Sequence, residues 1–86
     1  MRQFTFTVKD PLGIHARPAG LIAKLAKPYA DTPITITKGD KTVKASQLMK
    51  LMSLAVKNGD EVIVAAEGPA EEEAIAAMQK FFDENL

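Results

Sequence analysis

The stretch Gly13-Ile14-His15-Ala16-Arg17-Pro18 holds the chain's one histidine, an arginine two residues on, and a proline directly after it. Proline is best tolerated in a helix's first turn, where its missing N–H loses no intrahelical bond, so Pro18 sets a helix start within a residue or two of His15. His15 then falls at or near the N-cap. There the unpaired backbone N–H groups, here those of Ala16 and Arg17, and the positive end of the helix dipole converge on whatever the imidazole carries. A phosphate suits that position. Arg17 sharpens the inference, because a cation in the first turn opposes the dipole at a cost of about 0.3–1 kcal/mol, and a bound anion reverses that sign. Its guanidinium holds phosphate oxygens through two parallel hydrogen bonds, while a neutral imidazole has the lone pair that attacks phosphorus. The residues alone leave a second reading open, in which His15 is a capping or surface histidine and Arg17 a solvated charge.

Such a site needs a small frame, and 86 residues allow one domain with one core, spanning residues 1–86. Apolar residues make up 47% and charged residues 26%, which fits a folded globular unit rather than a disordered tail. With no cysteine and one histidine, disulfides, thiolate nucleophiles and histidine or cysteine metal clusters are excluded, and no metal or cofactor is implied. Met1 leads into Arg2-Gln3-Phe4-Thr5 without a basic-then-apolar leader, and no run of apolar residues reaches membrane-spanning length. A cytoplasmic protein with no stable membrane association is expected. The formal net charge is zero, which argues against bulk attraction to nucleic acid. The charges are unevenly placed: residues 1–57 carry ten Lys and Arg against three Asp and Glu (+7), and residues 58–86 carry one against eight (−7). If the fold keeps these halves partly apart, one surface steers acidic or phosphorylated partners.

Phe4, Phe6 and Val8 alternate with Thr5, Thr7 and Lys9, the pattern of a strand with one buried face. A helix follows from near His15, with Ile22, Leu25, Ala26 and Tyr29 at helical spacing, and Pro28 ends it. Ile34 to Thr37 and Lys41 to Lys44 form a hairpin about Lys38-Gly39-Asp40. Leu48, Met49, Leu51, Met52 and Leu54 make a short apolar helix that Asn58-Gly59 terminates through a left-handed backbone. Glu61 to Glu67 is a further strand, and Gly68-Pro69 opens a last helix with Glu71, Glu72 and Glu73 in its first turn and a stripe of Ala74, Ile75, Met78, Phe81 and Phe82. The order β-α-β-β-α-β-α predicts an α+β fold, with helices on one face of a mainly antiparallel sheet. The other face, bearing threonines and lysines, stays wet.

On Gly13-Ile14-His15-Ala16-Arg17-Pro18-Ala19, Lys41-Thr42-Val43 and Leu48-Met49-Lys50-Leu51-Met52-Ser53-Leu54, the chain resembles the histidine-containing phosphocarrier family, HPr, of the bacterial phosphoenolpyruvate-dependent sugar phosphotransferase system. The resemblance covers essentially the whole length. It implies an open-faced β-sandwich, with three helices on a four-stranded antiparallel sheet. It also implies a carrier rather than an enzyme, in which His15 accepts phosphate on Nδ1 from enzyme I and delivers it to the A components of sugar permeases. By the same match, partners dock on Gly20, Leu21, Leu48, Met49 and Met52, rimmed by Lys24, Lys27 and Lys50. Met49 and Met52 also fit a core role, and both readings stand. Many relatives carry a regulatory serine at the start of the second helix, but the register places Gln47 there, with one extra residue in the preceding strand or turn. Ser46 is then more simply an N-cap. Gly20 departs from the side-chain-bearing small residue usual there, at some cost in helix stability.

Three other functional classes meet the sequence differently. RNA binding lacks a pair of exposed stacking aromatics and a Gly-x-x-Gly loop, and hydrolysis with His15 as general base lacks a second polarising group. A regulator that binds partners according to its phosphorylation state retains His15 and Arg17 and is not separated from a transport carrier by sequence. A monomer suits a carrier that shows one site to successive partners.

Overall fold

In the computed structural model, which describes residues 1–86, the alternation of Phe4 and Phe6 with threonines forms β1 (Arg2–Thr7). The chain continues through α1 (Ala16–Ala26), a 3-10 turn (Lys27–Tyr29), β2 (Ile34–Lys38), β3 (Lys41–Lys44), α2 (Leu48–Ser53), β4 (Glu61–Ala66) and α3 (Glu71–Asn85). The order matches the α+β pattern in the sequence. The strands make one antiparallel sheet in the order β1-β4-β2-β3, so the last strand lies between the first two.

Side chains alternate across the pleat. The row Phe4-Val64-Ile36-Val43 joins the core, and the neighbouring row Thr5-Ile63-Thr37-Thr42 forms the open face. Thr37 and Thr42 share a hydroxyl hydrogen bond of 2.8 Å there, and exposed Ile63 is the apolar exception. In the helical layer, α1 packs against both neighbours, α3 covers β1 and β4, and α2 lies by β3. The buried face of α1 is mostly small, Pro18, Ala19, Ala23 and Ala26 around Ile22, and admits close neighbours. Phe82 is fully buried and meets the rings of Phe4 and Phe6 edge-on at 5.8 and 5.4 Å. Burying such a ring is worth about 1.5–3 kcal/mol, and each aromatic pair adds about 0.5–1.5 kcal/mol. That fixes the last turns of α3 over β1.

The charged halves separate in part. Acidic α3 stands over β1, where Glu72 pairs with Arg2 at 2.5 Å, while Lys24, Lys27, Lys41, Lys44 and Lys50 lie exposed on α1, the 3-10 turn, β3 and α2.

Several boundaries differ from those read in the sequence. Ser46 is not the N-cap of α2: Gln47 occupies that place without a side-chain cap, because its amide closes a turn onto the Lys44 carbonyl at 3.1 Å with Ser46 inside it. Nor does Asn58-Gly59 terminate α2. The left-handed residue is Ala55, φ 52°, after which Val56 turns into the core, and Gly59, φ 89°, belongs to the turn before β4. Pro69 precedes α3 by two residues, since the buried Thr32 hydroxyl holds the Ala70 amide at 3.0 Å and leaves Ala70 as N-cap. Pro28 does follow the end of α1, but inside the 3-10 turn that prolongs it.

Candidate functional site

The loop into α1 is built by short-range hydrogen bonds. Asp10 accepts the Leu12 amide on Oδ1 at 2.8 Å and the Gly13 amide on its carbonyl at 3.0 Å. Gly13 has φ 67°, and a Cβ there would lie 2.1 Å from the Val56 carbonyl oxygen, so only glycine fits. Ile14 is buried and donates its amide to that same oxygen at 3.0 Å. The next residue is therefore held at a fixed point on the surface.

That residue is His15, the N-cap of α1, with extended backbone (φ −95°, ψ −171°). Its carbonyl accepts the Ala19 amide at 2.9 Å, closing the first helical turn, while its half-buried side chain makes no cap bond. The amides of Ala16 and Arg17 have no partner within the chain, and Pro18, third in the helix, has no N–H to place. The first turn contains no acidic side chain. Two outward N–H groups, the helix dipole and the exposed Arg17 guanidinium thus surround the imidazole with positive potential. A tetrahedral anion on the ring matches that arrangement.

His15 and Arg17 line an open cleft of about 250 Å³ together with Leu21, Asp10, Phe81 and Asn85. The last three were not foreseen as site residues. Phe81 belongs to the apolar stripe of the last helix, and only the packing of α3 against α1 brings its C-terminal turn to the start of α1. No local pattern in the sequence carries that information.

The expected docking residues share α1 and α2, which pack together. Leu21 is 45% exposed, Leu48 39%, Met49 77% and Met52 38%, whereas Leu51 and Leu54 are buried, which resolves the two readings of the methionines. A Cβ on half-buried Gly20 would meet nothing within 4 Å. Lys24, Lys27 and Lys50 are exposed around these residues. Ser46 is exposed too, and lines a separate cavity with Lys27, Tyr29 and Lys44 rather than the cleft at His15.

Known proteins show the family of the chain. Residues 2–84 match the PTS-HPr family, described as the PTS HPr component phosphorylation site. The phosphocarrier protein HPr of Mycoplasma genitalium is 33% identical over 85 residues, covering 99% of this chain and 97% of its own. An HPr from Thermoanaerobacter tengcongensis superposes with a TM-score of 0.91 at 38% identity, over 98% of this chain and 93% of that one. Crh, a Bacillus subtilis protein connected with catabolite repression and described as a swapped-domain dimer, superposes at 0.76 with 35% identity, over 100% of this chain and 98% of its own. With a family match running almost end to end and a third of the residues shared with a named phosphocarrier, the chain belongs to the HPr family of the phosphotransferase system.

Proposed function

We propose that residues 1–86 act as one phosphoryl carrier unit that accepts a phosphoryl group on His15 from phospho-enzyme I and passes it to the A components of sugar permeases. The observation that carries this is the placement of an uncapped His15 side chain beside the unpartnered amides of Ala16 and Arg17. In acceptance, a ring-nitrogen lone pair forms the N–P bond as the bond to the donor breaks. Arg17 and the two amides hold the phosphoryl oxygens. The chain then positions the group without activating water, which makes it a carrier and not a hydrolase.

Partners would dock on Gly20, Leu21, Leu48, Met49 and Met52, with Lys24, Lys27 and Lys50 steering acidic surfaces towards them. Flexible methionines adapt to more than one partner. A monomer in the cytoplasm fits this exchange. Ser46, at the other cavity, is the hydroxyl a regulatory kinase would reach, with Gln47 at the register of the family's serine. The regulatory reading keeps a place because Crh is about as identical to this chain as the carriers are.

Intact mass is measured before and after incubation with phosphoenolpyruvate and a bacterial enzyme I. Gain of one phosphate that acid removes, absent in His15→Ala, supports the carrier. No gain with several enzymes I and folded protein turns the assignment to the regulator. Light scattering separates the monomer from a Crh-like dimer.

A further inference from the structure

Lys38 ends β2, and its Nζ donates to the carbonyls of Ala55 at 2.9 Å and Leu54 at 3.3 Å and pairs with the Asp60 carboxylate at 3.0 Å. An ammonium has three N–H bonds, and here each has an acceptor. The same Asp60 oxygen takes the Lys57 amide at 2.9 Å. Residues 54–60 are thereby closed onto the end of β2. Within them Ala55 holds φ 52°, a conformation that a side-chain-bearing residue adopts only when its surroundings impose it. Val56 follows, and its carbonyl is the acceptor for Ile14 at 3.0 Å. Gly13 sits against it too closely for any Cβ. The path from Lys38 through Ala55, Val56 and Ile14 to His15 is continuous, and each step is a hydrogen bond or a peptide bond.

We infer that Lys38, with Asp60, is a positioning residue for phosphoryl transfer: it imposes the left-handed turn at Ala55 that presents the Val56 carbonyl to Ile14 and so fixes the His15 ring against the amides of Ala16 and Arg17. The inference rests on the carrier function proposed above. It also gives α2 a second role. The helix bearing Leu48, Met49 and Met52 ends in this turn, so the docking surface and the acceptor share one anchor, and a partner seated on α2 meets His15 in a set geometry.

The test is steady-state phosphorylation by phosphoenolpyruvate and enzyme I, for wild type, Lys38→Met, Lys38→Arg and Asp60→Asn, at a temperature where circular dichroism shows each to be folded. Lys38→Met is expected to lower kcat by about three- to tenfold and leave KM within about twofold, since misplacement of the acceptor affects the chemical step. Lys38→Arg, whose guanidinium reaches the same acceptors, restores kcat. Hydrogen exchange at the Ile14 amide is expected to quicken in Lys38→Met and not in Lys38→Arg. A wild-type kcat in folded Lys38→Met overturns the inference, as does Lys38→Arg proving equally slow. If Lys38→Met does not fold, Asp60→Asn decides, because it keeps an oxygen for the Lys57 amide and removes only the charge; a wild-type kcat there overturns the inference. If wild type itself takes no phosphate, the carrier reading falls instead, and unchanged Ile14 exchange in Lys38→Met would separately dispose of the anchor.

Discussion

The amide of Ile14 and the carbonyl of Val56 meet at 3.0 Å, joining the residue before His15 to the turn that follows α2. Side chains on one face of a small domain are thus kept in register by a backbone contact between two loops far apart in sequence. The contact depends on the absence of a side chain at Gly13.

Gly13→Ala should therefore be costly. Its Cβ would fall 2.1 Å from the Val56 oxygen at a φ of 67°, so the loop must move. A loss of about 2–4 kcal/mol is expected from overpacking and left-handed strain together. Urea denaturation measures it, and a loss below the left-handed strain alone would show that the two loops yield easily.

Arg17→Ala separates binding from stability. The guanidinium sits exposed in a first helical turn with no acidic neighbour, where it opposes the dipole. Its removal should raise folding stability slightly, by up to about 0.5 kcal/mol, on the sign of that field. Phosphate acceptance should fall by about tenfold or more, as for a lost charge-assisted contact. Equal rates in rapid-quench measurements would mean that the amides of Ala16 and Arg17 are sufficient.

Ala55→Gly acts in the opposite direction. Ala55 is exposed and holds φ 52°, so the methyl group gains no burial in exchange for the strain. Relief of about 1–2 kcal/mol, offset by about 0.4–1 kcal/mol for the freer unfolded glycine, predicts a net gain near 0.5–1 kcal/mol. Thermal melting checks the sign.

Asp60 sets part of the acid limb of stability. Its carboxyl lies below the usual carboxylate range, chiefly because the Lys57 amide donates to it and next because Lys38 does. A depressed folded value means that the contribution is complete above the ordinary range and is lost as pH falls through the folded value. Wild type should exceed Asp60→Asn in melting temperature near neutrality, and the gap should close below about pH 4. Glu71 is shifted in the same direction, so the variant keeps some acid sensitivity. A gap that stays constant with pH would assign the pair's contribution to packing.

The site was legible where its logic is local. His15, Arg17 and Pro18 are neighbours, and a proline near a helix start has one good place to be, so the N-cap fell at His15 as the spacing required. The alternation in β1 and the turn at Gly39-Asp40 gave the strands for the same reason. Legibility stopped where distant groups override local preference. Asn58-Gly59 is a better helix terminator than Ala55 by residue type, yet Lys38, seventeen residues away, takes the Ala55 carbonyl and moves the break. Ser46 is a better cap than Gln47, but a turn onto Lys44 absorbs it. The cleft residues Phe81 and Asn85 reach His15 only because Phe82 locks α3 over β1.

The central place of β4 also governs how the chain is made. β1 and β2 are each bonded to β4 rather than to each other, so before residue 66 is made only the β2–β3 hairpin has its partner and β1 has none. Until then Phe4 and Phe6 lack both their strand partner and the ring of Phe82. With the central strand last in sequence, the sheet closes through pairings of long sequence separation, a topology that slows folding.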